Sequence, residues 1–105
     1  MGIKGDKLKQ ESMIAAEQLV EKLAGIEGIS RKRMFGGHGL FCDGKMFGIV
    51  DSKGQCFLKA DDALKATFEE KGALKHGRMP YYSIPDEILN NQDSLVSWAK
   101  NSIAL

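Results

Sequence analysis

Apolar residues recur at three- and four-residue steps in the first quarter of the chain. Between about residues 7 and 24 this apolar stripe consists of Leu8, Met13, Ala16, Leu19, Val20 and Leu23. That spacing predicts a helix with one buried face, and Gly25 is placed to end it.

The middle of the chain carries the pattern of strands joined by short turns. Extended segments are predicted over residues 29–35, 38–42, 45–50 and 55–59. Asp43-Gly44 is a strong hairpin signal, because both central residues of a type I′ turn need positive φ. Asp51-Ser52-Lys53-Gly54 supplies the next turn. Short turns require antiparallel pairing, so the pattern predicts a meander of three or four strands.

Helical and extended patterns alternate in the remainder of the chain. Asp61 and Asp62 place negative charge at the start of a helix predicted over residues 62–71, and Gly72 follows its end. Residues 79–84 are predicted to form a short strand near two prolines. A helical turn over 86–89 and a helix from about Asp93 complete the pattern. This order predicts a two-layer α+β fold with the helices mainly on one face of an antiparallel sheet.

The hairpin turn also predicts which side chains share a face of the sheet. Closure at Asp43-Gly44 pairs Leu40 with Phe47, and the following turn places Ile49 opposite Cys56. One face then carries His38, Leu40, Phe47, Ile49, Cys56 and Leu58 and forms the core. The other carries Phe41, Met46, Gly48, Val50, Phe57 and Lys59. That second face is too apolar to stay exposed without cost, so either another helix covers it or it is a contact surface.

Length and charge limit what the chain does. At 105 residues it is expected to form a single domain over residues 1–105. The formal net charge is +1, so a nucleic-acid role would require local clustering of cations. The candidates for such a cluster are Arg31, Lys32, Arg33 and Arg78. A charged edge strand that resists association is the simpler interpretation of the first three.

The apolar runs and the cysteines of the sequence indicate the cellular location of the protein. The sequence contains no run of 18 apolar residues and no leader with a cleavage site, so we expect no membrane part. Its two cysteines, Cys42 and Cys56, match no zinc motif and do not form a disulfide framework. These observations predict a cytoplasmic protein.

The residue types that perform catalysis or bind metals do not converge in this sequence. His38 and Cys42 would lie about 12 Å apart along one strand, too far to chelate a single ion. Gly36-Gly37-His38-Gly39 precedes a strand instead of a helix, which argues against a phosphate loop and for a tight connection. We therefore expect no catalytic residue, metal or cofactor. A small-ligand cleft or cryptic enzyme beside Tyr81 and His38 is an alternative.

Four segments together resemble one protein family. They are RKRMFGGHGLFCDGKMFGIV, FLKADDALKATFEEKG, MPYYSIPDEIL and LVSWAKNSI. In order and spacing they are similar to the N-terminal domain of the TfoX/Sxy family of bacterial competence regulators. The resemblance covers about residues 16–103. Because longer members continue into a second, helical domain and this sequence ends at Leu105, the chain is interpreted as a stand-alone copy.

The resemblance implies a fold and a role. The fold is a two-layer α+β domain of the secretion-chaperone type, and the role is non-enzymatic transcriptional regulation of DNA-uptake genes. Expected partners are the transcription machinery, such as the cyclic-AMP receptor protein, or a second copy of the chain. The predicted partner-binding residues are Arg31, Arg33, Phe41, Met46, Phe57 and Lys59. A nucleic-acid accessory role for the four-cation cluster is the alternative.

Overall fold

Helices and strands alternate along the chain in an α+β order. The computed structural model describes residues 4–34 and 36–105, with side chains described from residue 11 onward within those ranges. The elements are α1 (Lys4–Lys22), β1 (Ile29–Met34), β2 (Gly37–Cys42), β3 (Lys45–Val50), β4 (Cys56–Lys59), α2 (Asp62–Glu70), β5 (Tyr81–Ser83), α3 (Asp86–Leu89) and α4 (Gln92–Ile103). The predicted α+β class and element order are confirmed. Phe35, predicted at the end of the first strand, and the Leu8 side chain lie outside the described part.

The strands form one antiparallel sheet in the order β1-β2-β3-β4-β5. Each strand pairs with its neighbour in sequence, so the meander is confirmed. Asp43 and Gly44 turn the chain between β2 and β3 with φ values of 52° and 84°. The carboxylate of Asp51 accepts hydrogen bonds from the backbone N–H groups of Lys53 and Gln55 and fixes the next turn.

The helices cover one face of the sheet. α1 contacts β1, β2 and β3, and α4 contacts β3 and β4. The main core lies between these layers and includes the fully buried side chains Leu19, Leu23, Leu40, Phe47, Val50, Leu58 and Leu95. Helix caps come from Asp61, whose side chain accepts from Leu64 N, and from Asn91, which accepts from Ser94 N. We call the opposite side of the sheet the outer face.

The predicted strand register is correct at the hairpin turn and wrong beyond it. Cys42 pairs with Lys45 as expected, but a bulge in β3 then leaves Phe47 without a direct partner, and Leu40 pairs with Gly48. The extra residue reverses the faces of the next two side chains. Val50 is therefore fully buried under the helices, whereas Ile49 lies on the outer face.

The register between β3 and β4 is also shifted by one residue. Val50 pairs with Cys56, and Ile49 pairs with Phe57. The predicted pair of Ile49 and Cys56 is wrong, because Gln55 faces Asp51 instead of Val50, as the hydrogen bond from Asp51 N to Gln55 O shows.

The buried stripe of α1 differs from the predicted one at its beginning. Ser12 is 1% exposed, while Met13 is 44% exposed. The stripe follows Ser12, Ala16, Leu19 and Leu23, a spacing of four, three and four residues that keeps one face of the helix on the sheet. Met13 was predicted to be buried and lies outside that stripe.

Candidate functional site

The outer face carries a second, smaller cluster of apolar side chains. Alternation along the strands places Lys32, Met34, Phe41, Met46, Ile49, Phe57, Lys59 and Tyr81 on it. Its buried centre consists of Ile49, Phe57 and Tyr81, with Met46 and Met79 packed against them. No described helix contributes to this cluster.

A loop covers the half of the outer face that lies over β4 and β5. The His76 ring stands edge-on to Phe57, with 4.7 Å between ring centroids. The loop is held to β5 because His76 N donates to Tyr81 O at 2.8 Å and Leu74 N donates to the Ser83 hydroxyl at 2.8 Å. Phe57 is only 4% exposed as a result. Of the two explanations for this apolar face, a covering element is the observed one over this half, and it is a loop instead of a helix.

Three partly exposed side chains converge over the other half. Met34, Phe41 and Met46 surround Gly39, and we call these three residues the methionine patch. A Cβ on Gly39 would lie 2.7 Å from Met34 Sδ and 3.0 Å from Met46 Sδ. The missing side chain thus lets the two thioethers lie against the backbone. Lys32, directly opposite Gly39 in the sheet, adds an exposed cation at the margin.

The predicted partner-binding residues divide between the two sides of the sheet. Phe41, Met46, Phe57 and Lys59 lie on the outer face. Arg31 and Arg33 lie on the side of the helices, because they pair with Leu40 and His38. Arg31 there forms an ion pair with Glu17 of α1, with 3.4 Å between Nη2 and Oε1. The structure therefore does not bring all six residues together.

The four predicted nucleic-acid cations are also separated. Arg31, Lys32 and Arg33 belong to β1, one edge of the sheet, while Arg78 precedes β5 at the opposite edge. Three strands lie between these edges, which corresponds to about 19 Å at the usual spacing. Nucleic-acid binding by this cluster stays a prediction, and the fold offers it no continuous surface.

A cavity of about 420 Å³ opens where α1 crosses the end of β1 and the beginning of β2. Ser12 and Met13 line it from the helix, and Arg33, Met34, Gly37 and His38 line it from the strands. Sequence reasoning expected a cleft shared by His38 and Tyr81. The structure places Tyr81 on the outer face and His38 on the side of the helices, so these two residues do not share a cleft.

His38 is a buried polar residue in the lining of this cavity. Its side chain is 4% exposed, and Nδ1 lies 3.2 Å from the Ser12 hydroxyl. Nε2 has no hydrogen-bond partner in the described part of the chain. Burial lowers the pKa of His38 below 6.5, and the charges of Arg31 and Arg33 lower the pKa further. The imidazole is therefore neutral near neutral pH.

The remaining candidate chemistry of the described residues lies in the thiols and the acidic side chains. Cys42 and Cys56 are buried free thiols, and burial raises the pKa of Cys56 to about 11. No group of three or more His, Cys, Asp or Glu residues within residues 4–34 and 36–105 is arranged to hold a metal ion. None of the helices described is long and apolar enough to cross a membrane.

The fold and these surfaces define a small two-layer α+β domain with helices on one side of a five-stranded meander and an apolar patch on the other. The family model of the TfoX N-terminal domain matches residues 21–105, and the chain belongs to this family. The resemblance inferred from the sequence is thereby confirmed. The family is one of non-catalytic, competence-related regulatory modules. A search of curated proteins returned no match.

Proposed function

We propose that the chain is a non-enzymatic regulatory module that acts through protein–protein contacts in the transcriptional control of DNA-uptake genes. Membership of the TfoX N-terminal domain family supports a regulatory role. The observation that carries the proposed mode of action is the methionine patch, where Met34, Phe41 and Met46 stay partly exposed. Ile49, Phe57 and Tyr81 on the same face are buried.

The methionine patch has the chemistry of a contact surface. Methionine side chains are flexible and polarisable, so they repack around different partners at little cost. Interface centres are enriched in Met and in aromatic residues such as Phe41, with charged residues at the rim. Lys32 and Lys59 supply that rim on the same face. The partner protein is therefore expected to present an apolar surface with acidic residues at its margin.

The test replaces the centre of the patch with a charge. Phe41→Glu is expected to abolish capture of the transcription machinery, assayed directly with purified cyclic-AMP receptor protein. The matched control is Ile14→Glu, which alters a side chain that is 51% exposed on α1, far from the patch. Ile14→Glu should bind as the wild type does.

Two results would decide against this function. One is unchanged partner binding by Phe41→Glu when its melting curve is normal. The other is loss of binding by Ile14→Glu to the same extent, which would place the contact on the helical layer. Self-association is measured in parallel by sedimentation, and a dimer broken only by Phe41→Glu would identify a second copy as the occupant of the patch.

A further inference from the structure

The two edges of the sheet, β1 and β5, differ in how their backbones are covered. The loop before β5 folds back along that strand, where His76 N donates to Tyr81 O at 2.8 Å. Outside β2, no described residue donates to or accepts from the backbone of residues 29–34. Among the described residues, the sheet is therefore closed along β5 and open along β1.

The backbone of β1 presents hydrogen-bonding groups to the open side at every second residue. Asp43 N donates to Gly28 O at 3.0 Å, so these two residues form a hydrogen-bonded pair at the start of the β1–β2 ladder. Such pairs recur at every second position of an antiparallel ladder. The N–H and C=O groups of Ile29, Arg31 and Arg33 therefore point away from β2, toward the open side.

Most of the features that prevent an edge strand from pairing are missing from β1. The strand has six residues, as many as β2 or β3, and contains no proline. Its register with β2 continues over six residue pairs without a bulge. Short length, proline and bulges commonly protect edge strands, and charge is the remaining means of protection. A strand that complements the charge of β1 can therefore pair with it.

Three consecutive cations determine which strand complements β1. Arg31 and Arg33 lie on the side of the helices and Lys32 on the outer face, and all three are exposed. If two copies of β1 paired antiparallel about Lys32, each Arg31 would face an Arg33 of the second copy, and like charges in this position are destabilising. An acidic strand would form opposite-charge pairs instead. Arg33 is available for such a pair, because it forms no ion pair with a described residue.

We propose that β1 binds an extended acidic segment of another protein, which adds to the sheet as an antiparallel sixth strand. Acidic side chains at alternate positions of the segment face Arg31 and Arg33. The residues between them lie on the outer face, beside Lys32 and Met34. Main-chain hydrogen bonds supply the affinity of strand addition, and the alternating side chains supply its selectivity.

The test uses a capped synthetic peptide of about eight residues in which glutamate and valine alternate. In the proposed register each arginine of β1 faces a glutamate, whose backbone N–H bonds to β1, while the N–H groups of the valines point to solvent. Methylation of the glutamate backbone nitrogens should therefore abolish binding. Methylation of the valine backbone nitrogens is the matched control and should leave binding unchanged.

Hydrogen exchange of the backbone amides shows where the peptide binds. The amides of Ile29, Arg31 and Arg33 should exchange rapidly in the free protein, because they point to the open side. Saturating peptide should slow their exchange by at least about tenfold. Protection of these amides without peptide, rising with protein concentration, would identify a second copy as the occupant of this edge and overturn the inference.

Two charge reversals test the role of the cations. Arg33→Glu places a carboxylate opposite a glutamate of the peptide and should weaken binding about tenfold. Arg78→Glu is the matched control, since it makes the same change in net charge at an exposed residue beside the opposite edge of the sheet. Its affinity for the peptide should equal that of the wild type.

Four further outcomes overturn the inference. They are the absence of protection at saturating peptide, equal binding of the two methylated peptides, equal affinities of Arg33→Glu and Arg78→Glu, and protection by single-stranded oligothymidylate but not by the peptide. The last result would assign the cations to nucleic acid. The methionine patch is tested separately, because Phe41→Glu leaves the backbone of β1 unchanged and is assayed with the cyclic-AMP receptor protein. Failure of either proposal leaves the other standing.

Discussion

The hydroxyl of Ser12 lies 3.2 Å from Nδ1 of His38, and this contact joins α1 to β2 within a mainly apolar layer. Both residues are almost completely buried. Protonation of the ring would place a positive charge beside Arg31 and Arg33 in a site shielded from water. The ionisation of His38 is therefore coupled to the packing of the helical layer on the sheet.

The first prediction concerns pH and His38. Its pKa in the folded protein is below the ordinary value of 6.5, so between these two pKa values the unfolded chain binds more protons than the folded one. The free energy of unfolding should then fall as the pH is lowered from about 6.5 toward the folded-state pKa. Urea denaturation at a series of pH values measures this loss.

His38→Gln is the comparison for this measurement. The Gln amide can still bond to Ser12 but cannot take up a proton in this range. Its stability should therefore change less with pH than that of the wild type, although its stability near neutral pH is lower. Parallel pH profiles for the two proteins would contradict the assignment of the pH dependence to His38.

The second prediction contrasts two glycines on β2. Gly37→Ala is expected to destabilise the protein by about 3 kcal/mol, because its Cβ would meet the Val50 carbonyl and the Asp51 backbone, which cannot move away. Gly39→Ala should cost about 1 kcal/mol, because its Cβ meets the ends of the Met34, Met46 and Phe41 side chains, which can rotate. Urea midpoints of both variants test this ordering, and equal losses would contradict it.

The hydrophobic pattern predicted the elements well because each is specified locally. Asp43-Gly44 fixes the hairpin turn, and Asp61 caps α2 through the Leu64 N–H. The side of the sheet on which Ile49 and Val50 lie could not be predicted, because the bulge at Phe47 leaves no signature in the apolar pattern. Phe47, Ile49 and Val50 are all apolar and suit either face of the sheet. The alternation of side chains therefore could not reveal that the pairing of β3 with β2 shifts by one residue at the bulge.

The candidate sites were predicted less completely because they depend on contacts between distant segments. The pairing of Phe41 with Met46 on one face of the sheet follows from the hairpin turn alone. The covering of Phe57 by His76 depends on how the loop before β5 folds back. The contact of Ser12 with His38 joins residues 26 positions apart, and a serine in an apolar helical stripe carries no signal of its partner.

The third prediction concerns the cysteines. Burial raises the pKa of Cys56 to about 11, and Cys42 is equally shielded from solvent. Since the thiolate is the reactive form and the reagent must reach it, native protein should react with a disulfide reagent far more slowly than urea-unfolded protein, in which both thiols are accessible. Rapid modification of either thiol under native conditions would show that the sheet opens locally at β2 or β4.

The last prediction concerns the bond between α4 and the sheet. Ser102 is 1% exposed, and its hydroxyl donates to the Lys59 carbonyl at 2.7 Å. Ser102→Ala leaves that carbonyl without this donor and should lower the free energy of unfolding by about 1 to 2 kcal/mol. Ser97→Ala is the matched control, since Ser97 is exposed on the same helix and the same gain in helix propensity applies. Equal urea midpoints for the two variants would show that the Lys59 carbonyl finds another donor and that this bond does not hold α4 against β4.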